Sequence, residues 1–134
     1  MKLSEHFTLA ELTATSHKVD NTPTPYITEN LRRLCVNVLE PTRVMLNKPI
    51  IITSGYRCRV LNNKVGGATN SYHLQGLAAD IRIENDQHAN KLLDIFALNA
   101  HVDLALYEHT KSGRWLHVQT SDKPRNIINR NYTP

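Results

Sequence analysis

Cysteine is scarce: the chain has 134 residues and two cysteines, Cys35 and Cys58. They form no CxxC pair, so cysteine writes no structural zinc module here. Cys35 falls on the apolar face of a predicted helix and Cys58 in the turn-like stretch SGYRCR. Both read as buried or half-buried thiols, with a disulfide between them as the other reading. Aromatic residues make up only 6% of the chain, which disfavours a base-stacking nucleic-acid surface. No basic run exceeds the pair Arg32–Arg33, and no nucleic-acid readout motif is present, so nucleic acid is not an expected partner. No apolar stretch approaches the roughly 18 residues that a membrane span needs. The N-terminus, MKLSEHFTLAEL, lacks the apolar core of a secretory signal. Internal repeats and low-complexity segments are also missing.

What remains is the profile of an ordinary globular domain, with 40% apolar and 21% charged residues. We read residues 1–134 as a single domain with its core in 3–120 and a polar C-terminal tail in 121–134. The net charge of +4 suits an anionic environment, and an anionic cell wall, an anionic lipid surface or nucleic acid would each satisfy it.

Thr8 followed by Glu11 is a capping box, so a short helix is expected over 8–14. Residues 20–28, DNTPTPYIT, read as a loop. Apolar residues recur at helical spacing over 29–46, with Pro41 predicting a kink or a new helix. A strand is expected in 48–56, then a short helix in 59–67 stopped by Gly66. Residues 77–83, LAADIRI, alternate: Ala79, Ile81 and Ile83 face one way, Ala78, Asp80 and Arg82 the other. Residues 86–99 look helical, with Asp86 as N-cap. Residues 102–108 and 114–120 read as two strands joined by the loop HTKSG. The expected class is α+β, a small and mostly antiparallel sheet with helices on one face.

Seven histidines occur, and two of them, His73 and His117, lie inside structured segments. His117 is mid-strand and shares a face with Trp115 and Gln119. Asp80 opens an apolar strand, where a carboxylate gains nothing unless something pairs with it. If their strands are neighbours, His73, Asp80 and His117 converge. Two imidazoles and a carboxylate suit zinc with an open fourth position. The plain alternative is two unrelated surface histidines and an aspartate that caps a turn.

Three stretches occur in a telling order: SGYR at 54–57, SYHLQGLAAD at 71–80 and RWLHV at 114–118. Together they resemble the zinc D-Ala-D-Ala carboxypeptidase family, murein metallopeptidases that share their metal fold with Hedgehog signalling domains. The family writes SxHxxGxAxD, then a tryptophan two residues before the last histidine, with an SGYR turn ahead of both. LSEHFTLAEL and LEPTR look like its phage and bacterial carboxypeptidase-like branch, and the likeness runs over about residues 3–120.

The resemblance implies that His73, Asp80 and His117 hold a zinc ion and that Arg57 anchors a substrate carboxylate, a task suited to a planar guanidinium. Ser71 and Gln75 are implied as further substrate contacts. Many relatives carry an acid three residues before the last ligand histidine, where this chain has Arg114. The carboxypeptidase-like branch has a glutamate at the end of the preceding strand, which Glu108 matches, with His109 as second choice for the acid–base role. The expected activity is zinc-dependent hydrolysis of peptide bonds in the peptidoglycan stem or cross-link, as carboxypeptidase or endopeptidase, by a monomer of a phage lysis enzyme or one released by lysis machinery. A non-catalytic zinc-containing wall-binding module is the alternative. A two-histidine, one-carboxylate iron oxygenase shares the ligand types but not the usual HxD spacing.

Overall fold

Side-chain caps and short-range periodicity set most of the element boundaries. The computed structural model describes residues 1–133. Two short strands, β1 (Lys2–Ser4) and β2 (Phe7–Thr8), pair antiparallel ahead of helix α1 (Leu9–Thr13). The Thr8 hydroxyl accepts from the Glu11 amide, and Glu11 reaches back to the Thr8 amide, which completes the expected capping box.

Helix α2 (Pro25–Leu34) starts inside the stretch expected to be a loop. Thr24 caps it and Pro25 occupies its first turn, where a missing N–H costs nothing. The helical path then widens into a π-turn over Cys35–Leu39 and continues as α3 (Glu40–Leu46). The wide turn absorbs Pro41 near the start of α3, so the expected interruption takes the form of a bulge rather than a break. Asn47 ends the run in a left-handed conformation, φ 54°.

Strand β3 (Ile52–Ser54) is shorter than its β-branched run suggested. Helix α4 (Arg59–Lys64) is capped by the Cys58 sulfur, which accepts from the Leu61 amide. Cys35 is buried, burial pushes its thiol up to about 12, and neither cysteine is in a disulfide. A 3-10 turn over Tyr72–Gln75 leads into strand β4 (Ala78–Arg82). Helix α5 (Asp86–Ala97) is capped by Asn85, not by Asp86. Asp86 is free for a different task, because its carboxylate accepts from the Tyr107 hydroxyl and from Arg114.

Strands β5 (Val102–Thr110) and β6 (Gly113–Thr120) form a hairpin whose turn is shorter than expected, since His109 and Thr110 pair across it with Arg114 and Gly113. The segment 121–134, expected to be a loose tail, contributes strand β7 (Ile127–Tyr132), which lies parallel to β5. Its sequence, IINRNY, does not alternate, so periodicity gave no signal. Long-range bonds pin it instead: Arg125 pairs with Asp103, and the Asn126 amide donates to the Phe96 and Asn99 carbonyls.

The main sheet has five strands in the order β3-β4-β6-β5-β7. One face packs Ala79, Ile81, Ala105, Tyr107, Leu116 and Val118 against Leu31, Leu34 and Val38 of the α2 path and Leu92, Leu93 and Phe96 of α5. The class is α+β, as expected. The opposite face keeps its polar residues, and the candidate site lies there.

Candidate metal centre

Register places the functional side chains. Asp80 on β4 lies directly opposite His117 on β6, and Glu108 on β5 lies opposite Trp115 on β6. Residues directly opposite in an antiparallel pair share a face. Asp80, His117, Trp115 and Glu108 therefore all project from the side away from the helices. His73 arrives from the 3-10 turn, which ends at Gly76 with φ 72°. A Cβ on Gly76 would lie 3.0 Å from both the side chain and the carbonyl of Ile27, so the turn sits tight against α2 and carries His73 over the sheet.

The three ligand-type atoms of His73, Asp80 and His117 lie within 4.8 Å of one another. Oδ1 of Asp80 stands 3.2 Å from Nε2 of His73 and 3.3 Å from Nδ1 of His117. The imidazole rings meet edge to face, with centroids 5.2 Å apart. His73 is oriented from behind: its Nδ1 donates to the Gly55 carbonyl at 2.7 Å. A carbonyl only accepts, so the neutral ring carries its proton on Nδ1 and turns the Nε2 lone pair to the cluster. His117 turns Nε2 toward the Gln119 Oε1 at 2.7 Å and Nδ1 toward the cluster.

Asp80 is buried, and burial is the largest influence on it, opposing ionisation. When the two rings are protonated, the charge of His73 and hydrogen bonds from both histidines outweigh burial and hold its carboxyl well below the usual carboxylate range. Burial works against the charged form of His117 as well, but its hydrogen bond to Asp80 and the Asp80 charge keep its pKa above the ordinary imidazole value.

Arg57 answers the carboxylate from the other side. Its Nη2 donates to Asp80 Oδ2 at 3.0 Å, its Nε to Ser54 Oγ at 3.0 Å and its Nη1 to Asn62 Oδ1 at 3.3 Å. A guanidinium has five N–H groups, so two remain for another acceptor. Ser71 caps the 3-10 turn by accepting from the His73 amide. Gln75 is not brought to the cluster. It is exposed and lines a separate hollow with Tyr26, Asn30 and Asp103, while its carbonyl accepts from Asn30.

Glu108 is half-buried, and Trp115 Nε1 donates to its Oε2 at 2.9 Å. Burial raises its pKa most, and repulsion from Asp80 raises it further, against smaller opposing effects of His117, Trp115 and His73. Strand parity turns the neighbouring residues away. His109 points to the helix side, its ring 4.4 Å from that of Tyr107. Arg114 lies on that side too, with Nη1 2.9 Å from Asp86. An acid at position 114 would not reach the cluster in this register, so Arg114 removes nothing from it.

Sequence reasoning missed Gln119, Asp103, Asn62 and the role of Trp115 in holding Glu108. The only signal available was the shared parity of Trp115, His117 and Gln119 on one strand.

A two-histidine, one-carboxylate cluster with a carboxylic acid two register rows away on the same face, the open face of a helix-backed sheet, defines a candidate metallohydrolase. The profile of the peptidase M15 family matches residues 5–119, and the chain belongs to that family. Its members are metal-dependent, so the chain is a metallopeptidase. No curated protein matches the chain. Among the described residues no helix is long and apolar enough to cross a membrane.

Proposed function

We propose that the protein is a zinc peptidase that hydrolyses peptide bonds of the peptidoglycan stem or cross-link, with His73, Asp80 and His117 as its metal ligands. The convergence of these three side chains, with His73 held in one tautomer by Gly55, carries the reading. The donor set fits zinc: two imidazole nitrogens and one carboxylate oxygen are three protein ligands of borderline to hard character, the number that leaves a catalytic zinc one open position. Bound by these three side chains, zinc would act as a Lewis acid that polarises a carbonyl and acidifies water.

Glu108 is the general base. Its raised pKa brings it nearer to working pH, where a carboxylate takes a proton most usefully. It receives the proton of the attacking water and returns it to the departing amine. The Trp115 indole fixes one carboxylate oxygen and leaves the other for this transfer. The two uncommitted N–H groups of Arg57 hold a carboxylate of the substrate, which selects the bond presented to the cluster. The Ser71 hydroxyl, which accepts from the His73 amide, keeps its own proton to donate to substrate. Gln75, in its separate hollow, is a candidate contact for a more distant part of the stem. A basic chain suits the anionic wall. Delivery to that wall by a phage lysis system, or release with lysis machinery, completes the reading.

Mass spectrometry of muropeptides digested by zinc-loaded protein tests it. The expected result is loss of one defined peptide bond, slowed about 10²–10⁴-fold by Glu108→Gln. Intact muropeptides with zinc-loaded wild type, or full activity in Glu108→Gln, refute the reading. Zinc and wall binding without cleavage would favour a binding module instead.

A further inference from the structure

A line of four side chains runs from the cluster to Arg125, just ahead of the C-terminal strand. His117 Nε2 lies 2.7 Å from Gln119 Oε1, and Gln119 Nε2 donates to Asp103 Oδ2 at 2.9 Å. Asp103 Oδ2 also accepts from Arg125 Nη2 at 2.9 Å, and Asp103 Oδ1 accepts from Arg125 Nε at 2.9 Å and from the Arg125 amide at 3.1 Å. Gln119 and Asp103 are buried.

The direction of this line follows from chemistry. An ionised carboxylate only accepts, so the side of the Gln119 amide that faces Asp103 must be its NH₂. The Arg125 hydrogen bond is the largest influence on Asp103 and holds it well below the usual carboxylate range, so it stays ionised. The oxygen of Gln119 is thereby forced toward His117, where it can only accept. His117 must then carry a proton on Nε2, which leaves Nδ1 to face Asp80 and the metal centre. Asp80 alone would favour the opposite arrangement, because its Oδ1 also attracts a proton to Nδ1. A β-bulge makes the line possible. The register of β5 against β6 shifts between Val102 and Leu104, which makes Asp103 the extra residue and aims it at Gln119.

We propose that Gln119, held by Asp103 and through it by Arg125, is a positioning residue that sets the tautomer of His117 and so selects Nδ1 as its metal-facing atom. This rests on the metal centre proposed above. It gives the C-terminal segment a task, since residue 125 sets the orientation of a ligand on β6.

Asp103→Asn is the discriminating change, because it keeps the shape and reverses the polarity. The new amide nitrogen must face either the two Arg125 donors at Oδ1 or the Gln119 NH₂ and Arg125 Nη2 at Oδ2. Only the second conflict can be relieved, by rotating the Gln119 amide and swinging the exposed Arg125 head away, whereas the Arg125 backbone amide at Oδ1 cannot move; the rotated Gln119 amide presents a donor to His117. The probes are ¹⁵N chemical shifts of the histidine rings in metal-free protein, at a pH where the rings are neutral, and zinc affinity by chelator competition. Wild type is expected to carry the His117 proton on Nε2 and Asp103→Asn on Nδ1, with zinc bound about 10–100-fold more weakly by the variant. Gln119→Met, which needs no charge change, is expected to weaken zinc binding over the same range, and it decides the matter if Asp103→Asn does not fold. A wild-type proton on Nδ1, a folded Asp103→Asn with the wild-type tautomer, or Gln119→Met with zinc affinity within threefold of wild type overturns the proposal. Wild-type protein that binds no zinc refutes the metal centre instead, while the tautomer measurement stands independently.

Discussion

Gly55→Ala adds one methyl group, and the structure dictates where it goes. A Cβ at Gly55 would lie 2.3 Å from the Leu12 carbonyl oxygen and 2.9 Å from its carbon. Both are backbone atoms, so no flexible side-chain tip can swing aside. The same carbonyl accepts from the Tyr56 amide at 2.7 Å, and Gly55's own carbonyl holds His73 Nδ1 at 2.7 Å. Relief therefore requires α1 and the 54–57 turn to separate, and the turn takes the His73 acceptor with it. Overpacking of this kind costs about 1–3 kcal/mol. Gly55 does not have a positive φ, so the change carries no left-handed strain, and the stiffer unfolded chain offsets roughly 0.4–1 kcal/mol. At mid-range the clash wins by about 1.3 kcal/mol, a fall in Tm of roughly 4–7 °C for a domain of this size. Zinc affinity should also fall about 10–100-fold, because His73 loses the partner that orients it. Gly66→Ala is the comparator. It sits in open space at φ 73°, so it should cost a similar 1–2 kcal/mol or so through backbone strain and leave zinc binding alone. Thermal melts and chelator competition on both variants make the test. If Gly55→Ala matches wild type in Tm and zinc affinity, or matches Gly66→Ala in both, the coupling of packing to His73 is refuted.

Arg57→Lys should lower kcat/KM by about 10–100-fold, since one ammonium cannot replace a fork that spans Ser54, Asn62 and Asp80 and still reach substrate; a change under twofold in steady-state kinetics argues against it. Glu40 is depressed below its usual value: burial opposes this most, but bonds from His6 and Ser4 prevail. A depressed folded pKa gives stability that is present above the unfolded value near 4.5 and lost as pH falls through the folded one. Glu40→Gln should therefore melt below wild type at pH 7 and converge with it in acid, and a pH-independent gap in Tm sinks the assignment. Glu108 has the opposite sign, because its raised folded pKa makes the ionised form costly as pH rises. Metal-free Glu108→Gln should then melt above metal-free wild type at pH 7 while hydrolysis is lost; a lower Tm would contradict the burial argument.

Much of this was legible in the residues. Thr8 and Glu11 start a helix because both capping bonds are made within four residues of chain. The alternation in 77–83 and 114–120 puts Asp80 and His117 on the face opposite Ile81, Leu116 and Val118, because a period of two is a property of one strand. The motifs around His73, Asp80 and His117 pointed to the family that residues 5–119 match. Parity also turns Arg114 and His109 from Glu108, but only once the strand limits are known.

Pairing across long separations was not legible. Alternation says which face Asp80 and Glu108 occupy, not which residues they oppose; register decides that, and register is set by the partner strand. Asp103 reaches Gln119 only because a bulge offsets two strands, and no local pattern encodes a bulge. Strand β7 carries no periodic signal and is held by bonds from Arg125 and Asn126 to residues at least 22 positions away. The sequence alone determined the chemical types at the centre and the face they share. Tertiary structure decided their spacing, their tautomers and the residues that hold them, because those depend on donors and acceptors that meet only when distant segments pack.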